Sequence, residues 1–271
     1  MEEPKVLYEV RDKIAWVTLN RPEALNAVNR EMREKIIDRC RAANDDPAVQ
    51  VVIFRGAGDR AFSVGGDLKE RARANAAESA PGESPLVSRQ ARNQPGIHTP
   101  PQAIAAITKP TVALLHGYVI GTGLLMSLAC DIRIGAETAR IGLTEIRRGF
   151  MPASGGTQRL ARLVGIAKAL EICLSGELFD ASEAYRIGLL NQIVPADKLL
   201  ESGEQVARSF LKGAPLAARY IKEAIYKGAE LPLEQALRLE ADLAGMVLNT
   251  EDAKEGPRAF VEKRAPAWKG K

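Results

Sequence analysis

The run VQVVIFRG at positions 49–56 narrows the folds open to this chain more than any other stretch. Its apolar residues are nearly continuous instead of alternating with polar ones. A strand of this kind is buried on both faces, as strands of parallel sheets are. TVALLHG (111–117) and DIRIGA (131–136) read as further strands, and Asn191–Val194 as the last. A β-hairpin precedes them, Val6–Val10 and Ile14–Leu19 joined by Arg11-Asp12-Lys13. Helices fall between the strands. One runs from Asn29 to Ala43, with Met32, Ile36, Ile37 and Cys40 at helical spacing; another begins near Leu68, and a third covers 121–130. From about residue 155 helices dominate. The pattern predicts an α/β core over 1–200 and a helical region over 201–271, with no repeat of fixed period.

The 271 residues, 46% of them hydrophobic, are enough for a substantial core. No run of about 18 apolar residues is present, which argues against a membrane-spanning helix. The opening MEEPKVLYEVRDK is acidic and polar, unlike a signal peptide. Cys40, Cys130 and Cys173 are odd in number and widely spaced in apolar or helical contexts, as expected of reduced, buried thiols in a cytoplasmic protein. With two histidines, His98 and His116, and no C-x-x-C, the sequence offers no set of metal ligands. A formal charge of +4 is mild and dispersed, so no nucleic-acid partner is expected. The densest basic stretch, Arg30, Arg33, Lys35, Arg39 and Arg41, is interleaved with acids and reads as a solvated helix face. Residues 74–102 hold five prolines and few large apolar side chains, and read as a mobile surface loop or lid.

Two glycine-centred turns, each after a strand and before a helix, are candidates for chemistry. They are Ser63-Val64-Gly65-Gly66-Asp67 and Gly117-Tyr118-Val119-Ile120-Gly121-Thr122-Gly123. A helix N-terminus offers unpaired amides and the positive end of a dipole, so two such turns aimed at one point would make an oxyanion hole. The same turns also serve tight packing. A dinucleotide fingerprint fails, because position 126, where the third glycine belongs, is methionine. Glu145, in Gly142-Leu143-Thr144-Glu145-Ile146 and close to the Gly149–Gly156 loop, reads either as a buried base or as a capping or salt-bridged carboxylate.

These motifs resemble the enoyl-CoA hydratase/isomerase (crotonase) family, over nearly the whole chain. The resembling segments are LNRPEALNAV (19–28), AFSVGGDL (61–68), HGYVIGTGLLMSLACDIRI (116–134), GLTEIRRGFMPASGGTQRL (142–160), the run from 175 to 195, and EDAKEGPRAFVEKRAPAWKGK (251–271). The resemblance implies a spiral of ββα units with a helical C-terminal trimerisation region, assembled as a homotrimer or dimer of trimers. It implies an acyl-CoA thioester as substrate, with coenzyme A a part of that substrate and no separate cofactor. The family's oxyanion hole falls on the amides of Gly66 and Thr122, where threonine replaces the usual glycine. Coenzyme A contacts carry over to Arg21, to the backbone of Glu23, Ala24 and Leu25, to Gly65–Asp67, and to Phe260 and Lys263, with a subunit boundary open to be crossed by the last two. For Lys263 an ordinary solubilising role stays open.

The departure is at Leu125. Family hydratases carry one glutamate there and a second at the position of Glu145. With Leu125 as an apolar wall and Glu145 as the remaining carboxylate, the acid/base count favours moving a C=C bond from C3=C4 to C2=C3, which needs one base. Hydration, or a hydratase-lyase reaction, is the alternative, since GGTQRL and FVEKR look hydratase-like. A catalytically weak acyl-CoA-binding paralogue is a third reading, prompted by Thr122 and Leu125 together. His98, Glu78 or Glu83 would be the source of a second acid if the 74–102 segment folds over the site.

Overall fold

The computed structural model describes residues 3–77 and 98–271. β1 (Val6–Arg11) and β2 (Ile14–Leu19) pair antiparallel. Their two-residue turn puts Asp12 and Lys13 at φ 50° and 66°. α1 (Arg30–Asp45) follows, with the Asn29 side chain accepting from the Met32 amide at its N-terminus. This is a cap of the usual polar type, one residue from the expected start.

The chain then repeats one plan: a strand of a large sheet, a short strand of a second sheet, and a helical segment. The first unit is β3 (Val51–Gly56), β4 (Ala61–Ser63) and α2 (Leu68–Ala77). After α3 (Pro100–Ala105) comes the second, β5 (Thr111–Leu115), β6 (Tyr118–Ile120) and α4 (Thr122–Leu128). The third is β7 (Ile132–Ala136) and β8 (Arg140–Gly142), continued by a 3-10 turn over Glu145–Arg148 and by α5 (Gly156–Val164). α6 (Ile166–Ser175), β9 (Phe179–Asp180), α7 (Ala181–Arg186) and β10 (Gln192–Val194) complete the sheets. Their strand orders are β1-β2-β3-β5-β7-β10 and β4-β6-β8-β9. From β2 to β10 the large sheet is parallel. Successive units add one strand to each sheet in step, which is the expected ββα spiral.

The large sheet is apolar on both faces. Ala15, Val17, Val52, Phe54, Ala113 and Leu115 join the main core with α1, α3 and α4. The alternate residues Ile14, Trp16, Val51, Ile53, Val112 and Leu114 form a second core under α8 (Leu199–Phe210), which contributes Leu199 and Ala207. Along β2, β3 and β5 the residues of both faces are buried except Arg55, so apolar residues follow one another and period-two alternation disappears. α8 lies at the expected 200/201 junction and packs on the sheet as a core helix. α9 (Pro215–Gly228), α10 (Leu233–Leu248) and α11 (Glu251–Val261) follow it. α9 is tied back to the core by Lys222 and Tyr226, which both donate to Asp131.

Two readings need correction. The 74–102 stretch is not loop throughout its described parts: α2 continues to Ala77, and α3 starts at Pro100. Consecutive prolines suggested irregular chain, but proline is tolerated in a helix's first turn, where an N–H would have no helical partner. The second sheet was also unforeseen. Its strands have two or three residues each, too few to show a period.

Of the cysteines, Cys40 and Cys130 are buried and Cys173 is half-buried, all three as free thiols. Among the described residues no helix is long and apolar enough to cross a membrane.

Candidate active site

The first glycine turn is held by residues from the Arg21–Val28 loop. Arg21 and Asp67 form an ion pair at 2.6 Å, and Arg21 also donates to the Ala27 carbonyl. Asp67 is held below its ordinary pKa, chiefly by the hydrogen bond from Arg21. The Val28 amide donates to Gly65, the Asp67 amide to Val28, and the Val64 amide to Leu25. Arg21, Glu23, Ala24, Leu25, Gly65, Gly66 and Asp67 are therefore drawn into one two-segment loop. Asp67 also caps α2, accepting from the Lys69 and Glu70 amides.

Asn26 organises this loop and was not anticipated as a site residue. It is fully buried with φ 54°, a conformation that asparagine tolerates better than most residues. Its Oδ1 accepts from the Arg21 amide, and its Nδ2 donates to the Ala57 and Ala61 carbonyls. Its own carbonyl accepts from the buried Ser63 hydroxyl, which in turn accepts from the Gly65 amide. A polar residue inside LNAV, between two apolar neighbours, was the available signal.

The second turn meets the first. A Cβ on Gly65 would lie 3.1 Å from the Thr122 amide nitrogen, and one on Gly66 4.0 Å from the Thr122 hydroxyl. Neither the Gly66 nor the Thr122 amide donates to another group among the described residues. The flanking glycines have separate reasons. Gly121 sits at φ 52°, disfavoured for L side chains, while a Cβ on Gly123 would collide with the Ser63 carbonyl. The geometry presents the Thr122 amide at the start of α4, beside the Gly65-Gly66 segment.

Glu145 enters from the third unit. The Gly121 amide donates to the Gly142 carbonyl at 3.1 Å, which fixes the end of β8 against the turn. A Cβ on Gly121 would lie 3.1 Å from Glu145 Oε1. Oε2 is buried and has no hydrogen-bond partner among the described residues. Burial raises the Glu145 pKa, partly offset by a bond from its own amide and by the nearby Arg148 cation. Of the two alternatives weighed above, the geometry is that of a half-buried carboxylate, neither capping a helix nor paired in a salt bridge. Two amides and one desolvated carboxyl thus gather round Gly121. Such a group can stabilise a developing oxyanion and move a proton close beside it.

Leu125, one turn along α4, is 6% exposed and packs against Gly156 and the main core. Within one chain Phe260 is 85% exposed, and Lys263 is exposed beyond the end of α11, so neither is packed into the site. His98 is exposed just before α3, where its backbone amide donates to Gln102. Glu78 and Glu83 lie outside the described residues.

A family model described as enoyl-CoA hydratase/isomerase matches residues 9–271. The chain belongs to this enoyl-CoA hydratase/isomerase family. Crotonyl-CoA hydratase of Syntrophomonas wolfei is 36% identical, the match covering 96% of this chain and 95% of that protein. (E)-benzylidenesuccinyl-CoA hydratase of Thauera aromatica is 34% identical over 98% and 99% of the two chains. The crystal structure of an enoyl-CoA hydratase from Bacillus anthracis superposes with a TM-score of 0.88, at 33% identity, over 99% of this chain and all of that one. The superposition extends over the ββα spiral of this chain, which brings the Gly66, Thr122 and Glu145 segments of three successive units together.

Proposed function

We propose that this protein adds water across the C2=C3 bond of an enoyl-CoA thioester, with Glu145 as the proton-carrying carboxylate. The observation that carries the reading is the Glu145 carboxyl, desolvated and placed against the Gly121 turn beside the Thr122 amide. Hydration is preferred to the double-bond shift expected from the acid/base count because relatives aligned over nearly their full lengths are named hydratases. In this scheme the Gly66 and Thr122 amides hold the thioester oxygen. Glu145 takes a proton from water as its oxygen bonds to C3, and the π pair moves through C2 to leave an enolate oxygen between the amides. Glu145 then returns the proton to C2, so that one water is added and the carboxylate is regenerated. A raised pKa suits a group that must act as base and then as acid.

Coenzyme A would lie along the Arg21–Leu25 and Gly65–Asp67 loop, and Leu125 would wall the acyl side. Phe260 and Lys263 would serve from a neighbouring subunit of a homotrimer or dimer of trimers. The test is to assay wild type and Glu145→Gln with 2-enoyl-CoA and 3-enoyl-CoA. Hydration of the 2-enoyl substrate should fall by about 10²–10⁴-fold in the variant; undiminished turnover would overturn the role of Glu145. A second reading, isomerisation, draws on the buried leucine at 125, where a second carboxylate would otherwise help deliver water. Faster conversion of the 3-enoyl than the 2-enoyl substrate would put it first.

A further inference from the structure

Among the described residues no other side chain hydrogen-bonds the Glu145 carboxyl, which accepts from its own amide. Its Oε2 is buried without a partner among the described residues, and its Oε1 faces a glycine. Its position therefore depends on the backbone turn that carries it. On one side that turn is fixed by Arg147, which donates to the Ser175 carbonyl and to Glu177, and by Ile146 packed over Gly176. On the other side the turn ends at Gly149, φ 73°, and the next amide, that of Phe150, donates back to the Glu145 carbonyl at 3.0 Å. The Phe150 ring is half-buried, and the Arg71 guanidinium lies over it at 3.9 Å from the centroid.

Arg71 stands on α2, which is anchored at the other half of the site. Asp67 caps α2 and is paired with Arg21, next to Gly66. The neighbouring Glu70 accepts from the Arg30 amide at the start of α1. The consecutive residues Glu70 and Arg71 thus tie one helix to two different parts of the molecule. α2 spans the distance between the segment that carries the Gly66 amide and the turn that carries Glu145.

We propose that Arg71, through its stack on Phe150, is a positioning residue that holds the Glu145 turn at its working distance from the Gly66 amide. This rests on the reading of Glu145 as the proton carrier. The action is mechanical: the cation beside the Glu145 carboxyl is Arg148, on the turn itself and bonded to Thr144, whereas the Arg71 guanidinium lies over the Phe150 ring. A guanidinium over an aromatic face is a directional contact, so a chain of similar length without the charge does not replace it.

The experiment compares wild type with Arg71→Ala, Arg71→Met, Phe150→Leu and Phe150→Tyr in two measurements. The first is hydrogen exchange of the Phe150 amide, whose protection reports closure of the turn. The second is the kinetics of 2-enoyl-CoA hydration as a function of pH. Arg71→Ala, Arg71→Met and Phe150→Leu should speed exchange at Phe150 and lower kcat by roughly 10–100-fold, the scale of a small misplacement of a reacting group. KM should stay within about twofold, and the pH profile should keep its shape. Phe150→Tyr, which keeps the ring, should restore both readouts. Unchanged exchange in both Arg71 variants overturns the proposal, whatever the activity. A shifted pH profile with unchanged exchange overturns it too, in favour of an electrostatic role. Absence of turnover by wild type on any enoyl-CoA would sink the functional reading, while the exchange comparison would still decide whether Arg71 holds the turn.

Discussion

Glu145 is destabilised as an anion by the burial that suits it for proton transfer, and this links activity to stability. Its folded pKa is raised above the ordinary carboxylate value. For a raised pKa, the stabilising contribution is complete below the unfolded value and is lost as pH rises through the folded one. Glu145→Gln removes the cost of ionisation. The variant should therefore be more stable than wild type at neutral pH, with the advantage shrinking to nothing in acid, as thermal denaturation over a pH series would record. A difference independent of pH would instead point to packing. The same logic moves the pH limb governed by the base form upward from that of an ordinary carboxylate in kcat/KM, which reports the free enzyme. Gly121 bears on the same atom. A side chain there would have to adopt φ 52° and place its Cβ 3.1 Å from Glu145 Oε1. Because Gly121 sits at φ 52°, ψ −125°, outside the left-handed helical region, Gly121→Ala should cost about 1–3 kcal/mol in backbone strain and reduce turnover by displacing the carboxyl; undiminished kcat in a folded variant would refute that steric account. Glu145 and the two glycine turns were legible in the sequence because their chemistry is local. Asn26 was not, because its bonds join segments up to 37 residues apart that only the fold brings together.

Among the elements, legibility followed length and burial. The inner strands of the large sheet, β2, β3 and β5, were visible because both their faces are packed, which leaves a nearly continuous apolar run. The strands of the small sheet were not, since β4, β6, β8 and β9 are set by their parallel or antiparallel neighbours and not by any pattern of their own. α8 shows what a helix can hide: its amphipathic face reads as generic, yet its Gly203 lets it approach the sheet closely. A Cβ at Gly203 would lie 2.5 and 2.7 Å from the Leu114 methyl carbons. Gly203→Val should destabilise the protein by about 1–3 kcal/mol through overpacking. Because this contact is on the sheet face away from α4, kcat of the folded fraction should hold. A fall in kcat without a fall in denaturation midpoint would contradict the division of the sheet into a supporting face and a site-bearing face.

At the scale of the whole molecule, the single chain leaves apolar surface without a partner. Ile166, Leu170 and Leu174 recur along one side of α6 at 74%, 53% and 66% exposure. Ile221, Ile225, Leu233 and Leu237 are likewise exposed on α9 and α10, which pack on each other. Contiguous apolar surface of this kind marks association, and a stable interface hides roughly 1,200–2,000 Å² in total. A homotrimer or dimer of trimers, as proposed above, would let the terminal helix of one subunit, with its exposed Phe260, serve the site of the next. Light scattering should find the chain at three or six times its own mass at micromolar concentration. Leu170→Arg would place a charge in the apolar stripe of every copy; each buried leucine contributes about 1.5–3 kcal/mol, so the substitution should shift the assembly toward monomers. If Phe260 and Lys263 act across the boundary, KM for enoyl-CoA should rise as the assembly dissociates, and dilution of wild type should reproduce the effect. A wild-type monomer with full activity would separate the apolar stripe from catalysis, and would require Phe260 and Lys263 to be surface residues with no part in holding coenzyme A.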